Sequence, residues 1–258
     1  MTTNDHFRRV ASVYESLRTT DEAPVHWLRK LLPERPLIGI DVGCGTGRYS
    51  KLLRALLPEG SLLIGSDISA AMLAELQASN HVRCWVAPLL SAAEALPIRT
   101  GSLDVVTSFN SVHHFDLRRF LADAARVLRP DGQLFIYTRT PEQNARTIWG
   151  RYFPGFVEHE QRLHGARALR TAVRRTGGLL LAGTRTFRHL RSSTRERLLA
   201  QAEGCHYSTF SLYTPDELSS AIATFLARLP SPEVSWVDEH LLVIVRRSRA
   251  ARQGNVRS

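Results

Sequence analysis

Short apolar runs alternate with helix-like patterns along the first half of the chain. Runs of strand length lie at residues 37–42, 62–66, 82–86, 103–109 and 134–138. Between the last two runs, Asp116 can cap a helix whose apolar residues recur at three- and four-residue spacing over 117–128. This alternation predicts parallel strands joined by helical crossovers, as in a doubly wound α/β sheet.

The second half predicts a helix over 162–176, a strand over 179–187 and a long final strand over 234–246. An insertion separates these last two strands. Within it, residues 214–217 read Thr-Pro-Asp-Glu, a capping box with proline at the first helical position. We therefore expect a helical insertion before the last strand.

Composition adds limits on location and redox state. The 258 residues are 43% hydrophobic and 22% charged, which is typical of a soluble globular protein. No apolar run approaches bilayer length, and the start lacks a secretory signal pattern, so we expect a cytoplasmic protein without membrane contact. Cys44, Cys84 and Cys205 form neither a disulfide framework nor a zinc pattern.

The positive charge is concentrated in the second part of the chain. The net charge is +10, of which residues 161–258 contribute +9 and residues 162–197 hold ten arginines. Such an excess indicates either a solvated basic surface or attraction of an anionic partner, for example a phosphate, a carboxylate or an RNA backbone.

A glycine-rich turn carries the first chemical signal. Residues 41–47 read Asp-Val-Gly-Cys-Gly-Thr-Gly, directly after a predicted strand and before a predicted helix. Dinucleotide binders space their glycines as Gly-x-Gly-x-x-Gly, so this turn is unlike an NAD site. Asp67 ends the second strand, where a carboxylate can accept hydrogen bonds from ribose hydroxyls. Adjacent strand ends share one crevice, which predicts a nucleotide site.

Four ordered motifs resemble the class I S-adenosylmethionine-dependent methyltransferases, nearest the ubiquinone/menaquinone and trans-aconitate branch. They are 41–47; 64–73, Ile-Gly-Ser-Asp-Ile-Ser-Ala-Ala-Met-Leu; 93–97, Ala-Glu-Ala-Leu-Pro, with Leu-Asp-Val-Val at 103–106; and 126–132, Arg-Val-Leu-Arg-Pro-Asp-Gly. The resemblance implies an α/β fold with a mostly parallel, seven-stranded Rossmann-like sheet and an antiparallel last strand. It also implies S-adenosylmethionine as cofactor.

The resemblance suggests how the chain is divided. We expect N-terminal lid helices over 1–36, a methyltransferase domain over 37–247 and a flexible tail over 248–258. Within the domain, the insertion at about 189–232 would act as a cap over the methyl acceptor.

The resemblance also implies a set of cofactor-binding positions. The glycines of the turn should underlie the methionine portion, with Asp41 reaching its ammonium directly or through water. Asp67 should hold the ribose, and Ile68 and Met72 should sandwich the adenine. The full set is Tyr14, Arg18, Asp41, Gly43, Cys44, Gly45, Gly47, Asp67, Ile68, Met72, Ser91, Ala92, Ala93 and Asn110. Tyr14 and Arg18 would close over the cofactor's carboxylate, although Tyr14 also fits a core position.

One position departs from the family pattern. Family members usually carry an aspartate where this chain has Ala92, and that aspartate receives the adenine amino group. Here either Ser91 or the backbone takes this role, or adenine is bound more weakly.

Methyl transfer from a sulfonium needs mainly correct positioning, and a base is required only when the acceptor arrives protonated. His113, His206 and Tyr207 are the candidate catalytic residues; a structural histidine pair and an aromatic loop packed on the core are the alternatives. Further acceptor-pocket candidates follow the fifth strand, namely Arg139, Asn144, Trp149 and Tyr152.

Missing signatures narrow the acceptor class. Residues 109–115 lack the Pro-Pro-aromatic sequence of amino-directed nucleic-acid methyltransferases, and no carboxylates stand where metal-dependent relatives place them, so we expect no metal. The favoured acceptor is an organic small molecule, anionic or aromatic. An RNA methyltransferase and a non-catalytic cofactor-binding partner protein are the alternatives, and the oligomeric state stays open.

Overall fold

The computed structural model describes residues 18–80 and 84–249. Outside these ranges lie Tyr14 with the first part of the predicted lid helices, residues 82 and 83 of the predicted third strand, and the predicted tail from 250. The helices are α1 Glu22–Arg29, α2 Arg48–Leu56, α3 Ala70–Ala78, α4 Leu117–Val127, α5 Pro141–Ala145, α6 Ile148–Tyr152, α7 Phe156–His159, α8 Ala166–Arg175, α9 Arg195–Glu203 and α10 Pro215–Arg228. The strands are β1 Ile38–Val42, β2 Leu62–Asp67, β3 Ala87–Leu90, β4 Leu103–Phe109, β5 Leu128–Thr138, β6 Leu179–Thr194 and β7 Glu233–Arg247.

The seven strands form one mixed sheet in the order β3-β2-β1-β4-β5-β7-β6. The first five are parallel, and β7 is antiparallel to both β5 and β6. The predicted fold class is therefore confirmed. The chain moves outward from β1 to β3 and then returns to place β4 on the other side of β1, and ligands of such sheets bind at this reversal, beyond the carboxyl ends of the strands.

The third strand begins later than the predicted 82–86. Asn80 donates from Nδ2 to the carbonyl of Val86 at 2.9 Å and accepts from the amide of Val86 at 3.2 Å. Because one side chain satisfies both backbone groups of Val86, this residue does not join the sheet ladder, and β3 starts at Ala87. Val86 is buried outside the sheet, whereas the side chain of Trp85 is half exposed.

The strand before the insertion is longer than the predicted 179–187. It continues to Thr194 and pairs with β7 along its length, so the helical insertion starts at Arg195 and not near residue 189. Beyond Phe187, the inward positions His189 and Arg191 are polar and contact Asp21. The hydrophobic pattern of this strand ends at Phe187 although the strand itself continues, which is why the prediction was too short.

The predicted helix over 162–176 also needs correction, because α8 begins only at Ala166. Arg162 lies before the helix and pairs with Glu160. Gly165 is the N-cap. By contrast, α10 begins at the predicted capping box, in which Thr214 and Glu217 exchange hydrogen bonds with each other's backbone.

Three apolar clusters hold the fold together. One packs α4 and α8 against one face of the sheet, and a second packs α1 to α3 against the other. The third lies in the insertion and the short helices after β5, where Trp149, Phe153, Phe210 and Phe225 pack together. Among residues 18–80 and 84–249, no helix combines the length and apolar character needed to span a bilayer.

Candidate functional site

The glycine turn links the end of β1 to the start of α2 by a tight backbone path. Gly43, Gly45 and Gly47 have positive φ angles of 70°, 56° and 79°, a region that glycine adopts without steric cost. The amides of Gly43 and Cys44 donate to the carbonyl of Ser66 at 2.7 and 2.9 Å. The turn is thereby fixed against the end of β2.

Asp67 is held at the end of β2 by backbone amides. Its Oδ2 accepts from Gly45 at 2.8 Å and its Oδ1 accepts from Ser69 at 2.9 Å. Burial raises the pKa of this carboxyl, whereas the hydrogen bonds from Ser69, Gly45 and Ile68 lower it. A carboxylate already oriented in this way keeps acceptor capacity for further donors, such as ribose hydroxyls.

A cavity of about 320 Å³ opens between the turn, the end of β2 and the end of β4; this is the cofactor cavity. Eleven of the predicted cofactor positions line it, namely Arg18, Gly43, Cys44, Gly45, Asp67, Ile68, Met72, Ser91, Ala92, Ala93 and Asn110. A Cβ added at Gly45 would meet no atom within 4 Å, so this glycine leaves open space at the turn. The cavity size, this open space and the oriented Asp67 fit an adenosine-containing cofactor.

Asp41, which was expected to reach the cofactor's ammonium directly or through water, does not line the cofactor cavity. It is buried under the turn and accepts from Ser50 at 2.5 Å and from Thr107 at 2.9 Å. Burial raises its pKa to about 6, against the lowering effect of these two hydrogen bonds. Asp41 therefore supports the turn from below.

Gly47 also does not line the cavity. A Cβ there would lie 2.3 Å from Leu76, so Gly47 permits close packing of the turn against α3 and makes no cavity wall. Tyr14, the remaining predicted position, lies outside the described residues.

The sequence analysis did not identify several residues that line the cofactor cavity. The rings of Tyr49 and Phe109 stack at 4.6 Å between centroids and form part of its wall. The others are Thr46, Arg48, Glu94, Ser111, His114 and Phe115. The sequence could have indicated these residues, because they lie beside the glycine turn, after β3 or at the end of β4, and those strand ends border the crevice.

Ser91 directly precedes Ala92, the position at which this chain departs from the expected family pattern. Its hydroxyl lies 2.7 Å from that of Ser66, and its amide donates to the Asp67 carbonyl at 3.1 Å. Ser91, Ala92 and Ala93 all line the cavity. The Ser91 hydroxyl is therefore a polar side-chain group of this segment available to the cofactor.

A second cavity of about 140 Å³ adjoins the first; we call it the acceptor cavity because predicted acceptor positions line it. Both cavities are lined by the same five residues, Arg18, Arg48, Tyr49, Asn110 and His114. The acceptor cavity also contains six predicted acceptor or catalytic positions, namely His113, Arg139, Asn144, Trp149, His206 and Tyr207. Tyr152 does not line it and packs against the apolar cluster of the insertion.

Two buried histidines that line the acceptor cavity, His113 and His206, have lowered pKa values. Burial, followed by the positive charge of nearby arginines, lowers the pKa of His113 to about 3 and that of His206 well below its ordinary value. The Nδ1 of His206 donates to the carbonyl of Gln201 at 2.9 Å. An imidazole of such low pKa is a weak general base at neutral pH, which favours positioning roles for both rings.

Arginines outnumber acids around the acceptor cavity. Five line it, namely Arg18, Arg48, Arg139, Arg191 and Arg197, against the three acids Asp21, Glu160 and Asp238. Two of these arginines contact the ring of Tyr207, with the Arg18 guanidinium 4.5 Å and the Arg139 guanidinium 5.6 Å from its centroid. The cavity therefore favours an anionic occupant.

Within the described part of the chain, one group of residues could hold a metal ion. The ligand atoms of Asp21, His189 and His240 lie within 4.8 Å of one another. However, Arg191 already binds Asp21, and Arg139 donates to His240. A divalent cation here would face two adjacent guanidinium groups, so the charge arrangement disfavours a metal.

Comparison with known proteins agrees with this geometry. A family model described as "Methyltransferase domain" matches residues 40–136. The chain is 32% identical over 151 residues to a malonyl-[acyl-carrier protein] O-methyltransferase of Legionella pneumophila, an alignment that covers 56% of this chain and 50% of that protein. It is 31% identical over 153 residues to the tRNA (carboxymethyluridine(34)-5-O)-methyltransferase ALKBH8 of Mus musculus, covering 58% and 21%. The chain thus spans half or less of the length of these relatives.

Solved structures show the same fold at low identity. The YcgJ protein from Bacillus subtilis has a TM-score of 0.64 at 14% identity, and the alignment covers 89% of this chain and all of that one. Geranyl diphosphate C-methyltransferase from Streptomyces coelicolor A3(2), solved with S-adenosyl-L-homocysteine, has a TM-score of 0.56 at 17% identity, covering 87% and 75%. Residues 40–136 thus match a methyltransferase domain model, and the solved structures show that the chain has the fold of known methyltransferases.

Proposed function

We propose that this protein transfers a methyl group from S-adenosylmethionine to an organic small molecule that carries negative charge. The observation that carries the proposal is the arginine-rich acceptor cavity, which adjoins the cofactor cavity through five shared residues. The motif similarity to ubiquinone/menaquinone and trans-aconitate methyltransferases supports the same acceptor class. The Legionella relative is named for O-methylation of malonyl-[acyl-carrier protein], which supports a carboxylate as the methylated group but places it on a carrier protein.

Bound S-adenosylmethionine would supply an electrophilic methyl group on a sulfonium, and the residues of this chain would position the reactants. Asp67 and the amides that orient it would hold the ribose, while Ile68 and Met72 would contact the adenine. The residues shared by both cavities would border the point where the acceptor atom meets the methyl group. Holding two reactants in line can contribute about 7 to 11 kcal/mol without a catalytic base.

A radiolabelled-methyl assay tests this proposal. The protein and labelled S-adenosylmethionine are incubated with a cell extract, which is then separated into small-molecule and RNA fractions. Label in the small-molecule fraction is expected, and Asp67→Ala should reduce it. The exposed Arg170→Gln on α8 serves as the matched control and should transfer as much label as the unmodified protein.

An RNA acceptor is the second candidate. It is favoured by an exposed basic surface on α4 and α8, formed by Arg118, Arg119, Arg167, Arg170, Arg174 and Arg175; within the described ranges none of these forms an ion pair. Relatives named as tRNA methyltransferases add support. Two results would favour an RNA acceptor over the proposed anionic small molecule. They are label in the RNA fraction and RNA binding that falls steeply with rising salt concentration.

A third candidate is a partner protein that binds the cofactor without turnover, suggested by the departure at Ala92. It predicts binding of S-adenosylmethionine but no label in either fraction. Calorimetry with S-adenosylmethionine and S-adenosylhomocysteine, run beside the transfer assay, separates this candidate from the two enzyme proposals.

A further inference from the structure

Arg139 and His240 form a hydrogen-bonded pair in the wall of the acceptor cavity. Arg139 directly follows β5 and His240 lies in β7, and they are only 7% and 6% exposed. The Nη2 of Arg139 lies 3.3 Å from the Nε2 of His240. Because a guanidinium can only donate, the imidazole accepts at Nε2, and the proton of its neutral form is on Nδ1.

Two donors of this pair have no acceptor among residues 18–80 and 84–249. They are the Nε–H of Arg139 and the Nδ1–H of His240, and both nitrogens are buried. Buried polar groups in folded proteins nearly always have a hydrogen-bond partner. Since both residues line the acceptor cavity, the missing acceptor is best supplied by a ligand bound there.

The neighbouring acids are already bound to other groups. Oδ2 of Asp238 lies 3.4 Å from both the Arg139 and the Arg191 guanidinium, and its Oδ1 accepts from Trp236 at 2.9 Å. Asp21 binds Arg191. These contacts fix the orientation of Arg139 without satisfying its Nε, so the described carboxylates do not complete the pair.

We propose that Arg139 and His240 bind an oxyanion of the methyl acceptor, a carboxylate or a phosphate, through these two donors. The inference rests on the proposed function, because it assigns this cavity to the acceptor. Asp238 is a positioning residue that holds the guanidinium. An oxyanion accepts hydrogen bonds more strongly than a neutral group does, so these two unsatisfied donors would select anionic over neutral molecules of equal shape.

Calorimetry on the protein saturated with S-adenosylhomocysteine tests the proposal, with benzoate, its neutral analogue benzamide and inorganic phosphate as probes. Benzoate should bind at least tenfold more tightly than benzamide. Arg139→Gln should reduce benzoate affinity at least tenfold, whereas the exposed Arg170→Gln should not. His240→Leu should also weaken benzoate, and His240→Asn, which can place an amide N–H near Nδ1, should restore part of the loss.

The outcomes distinguish a phosphate from a carboxylate acceptor. They also distinguish failure of this inference from failure of the proposed function. Competition of phosphate with benzoate would support a phosphate-bearing acceptor, and benzoate binding without such competition would support a carboxylate. Equal affinity for benzoate and benzamide in the unmodified protein would overturn the inference, even if Arg139→Gln fails to fold. Unaltered benzoate affinity in a folded Arg139→Gln variant would overturn it as well. Failure of the unmodified protein to bind S-adenosylhomocysteine would instead contradict the proposed function.

Discussion

The backbone amide of Gly45 donates to Oδ2 of Asp67 at 2.8 Å, which joins the glycine turn after β1 to the last residue of β2. Ser69 binds the other carboxylate oxygen. Asp67 is therefore oriented before any ligand arrives, so little side-chain freedom is lost when a ribose binds. This contact is the basis of the first prediction.

Asp67→Ala should weaken binding of S-adenosylhomocysteine by about 1 to 3 kcal/mol, because it removes charge-assisted hydrogen bonds to the ribose. Calorimetry measures the loss. Asp67→Asn keeps the shape and one acceptor oxygen, so its loss should be smaller. An unchanged affinity in a folded Asp67→Ala variant would count against this cofactor site.

Gly43→Ala and Gly45→Ala should separate stability from cofactor binding. A Cβ at Gly43 would lie 2.6 Å from Ser111 and 2.8 Å from Phe115, whereas one at Gly45 would enter open space. Both variants carry the strain of a positive φ, about 1 to 2 kcal/mol. Thermal unfolding should show the larger loss for Gly43→Ala. Calorimetry should show that Gly45→Ala, although better folded, binds S-adenosylhomocysteine poorly because its methyl group projects into the cavity.

Asp41 should make the protein less stable as pH rises from about 4 to about 6. Burial raises its pKa to about 6 in the folded state, so folding favours the protonated acid, and ionisation above this range costs about 3 kcal/mol. Urea unfolding at several pH values should show Asp41→Asn gaining stability relative to the unmodified protein as pH rises through this window. A constant difference between the two proteins at all pH values would contradict the prediction.

His113 should have the opposite effect. Burial and neighbouring positive charge lower its pKa to about 3, so the folded state resists protonation that the unfolded chain accepts at its ordinary pKa. Stability from this residue is complete above about pH 6.5 and is lost as pH falls toward 3. His113→Asn should reduce the loss at pH 4.5 by about 3 kcal/mol. Urea unfolding at pH 7 and 4.5 measures it, and equal losses in both proteins would contradict it.

The basic surface of α8 can be tested independently of the site. A triple variant that changes Arg167, Arg170 and Arg174 to glutamine should transfer methyl groups to small molecules at the unmodified rate, because these exposed side chains are absent from both cavities. Filter binding to total RNA should weaken and become less dependent on salt. Loss of small-molecule methylation in this variant would show that the surface takes part in acceptor recognition.

The sequence predicted the parallel half of the fold well because its signals are local. Buried parallel strands appear as apolar runs, and capping residues such as Asp116 and Thr214 mark helix starts through contacts three residues away. The glycine turn and Asp67 were likewise placed correctly at adjacent strand ends. The glycine turn and Asp67 are separated by only one helix and one strand, so local patterns were enough to place both.

The features that the sequence did not predict depend on contacts between segments far apart in the chain. The extension of β6 depends on His189 and Arg191 meeting Asp21, about 170 residues earlier in the chain, and no local pattern encodes such a pairing. Asp41 was expected at the ligand because of its position before the glycines, but the hydroxyls of Ser50 and Thr107 hold it beneath the turn. The Arg139–His240 pair depends on β7 lying beside β5, which the linear sequence does not display.

The β6–β7 hairpin carries the segment 195–232 at its end, while the glycine turn and Asp67 belong to the opposite half of the sheet. Part of the acceptor cavity wall therefore comes from a segment that contributes no residue to the cofactor cavity. Mutations in 195–232 can reshape the acceptor wall around His206 and Tyr207 while the machinery for the methyl donor is preserved. Changes in substrate range among proteins of this fold should therefore concentrate in the segment that corresponds to residues 195–232.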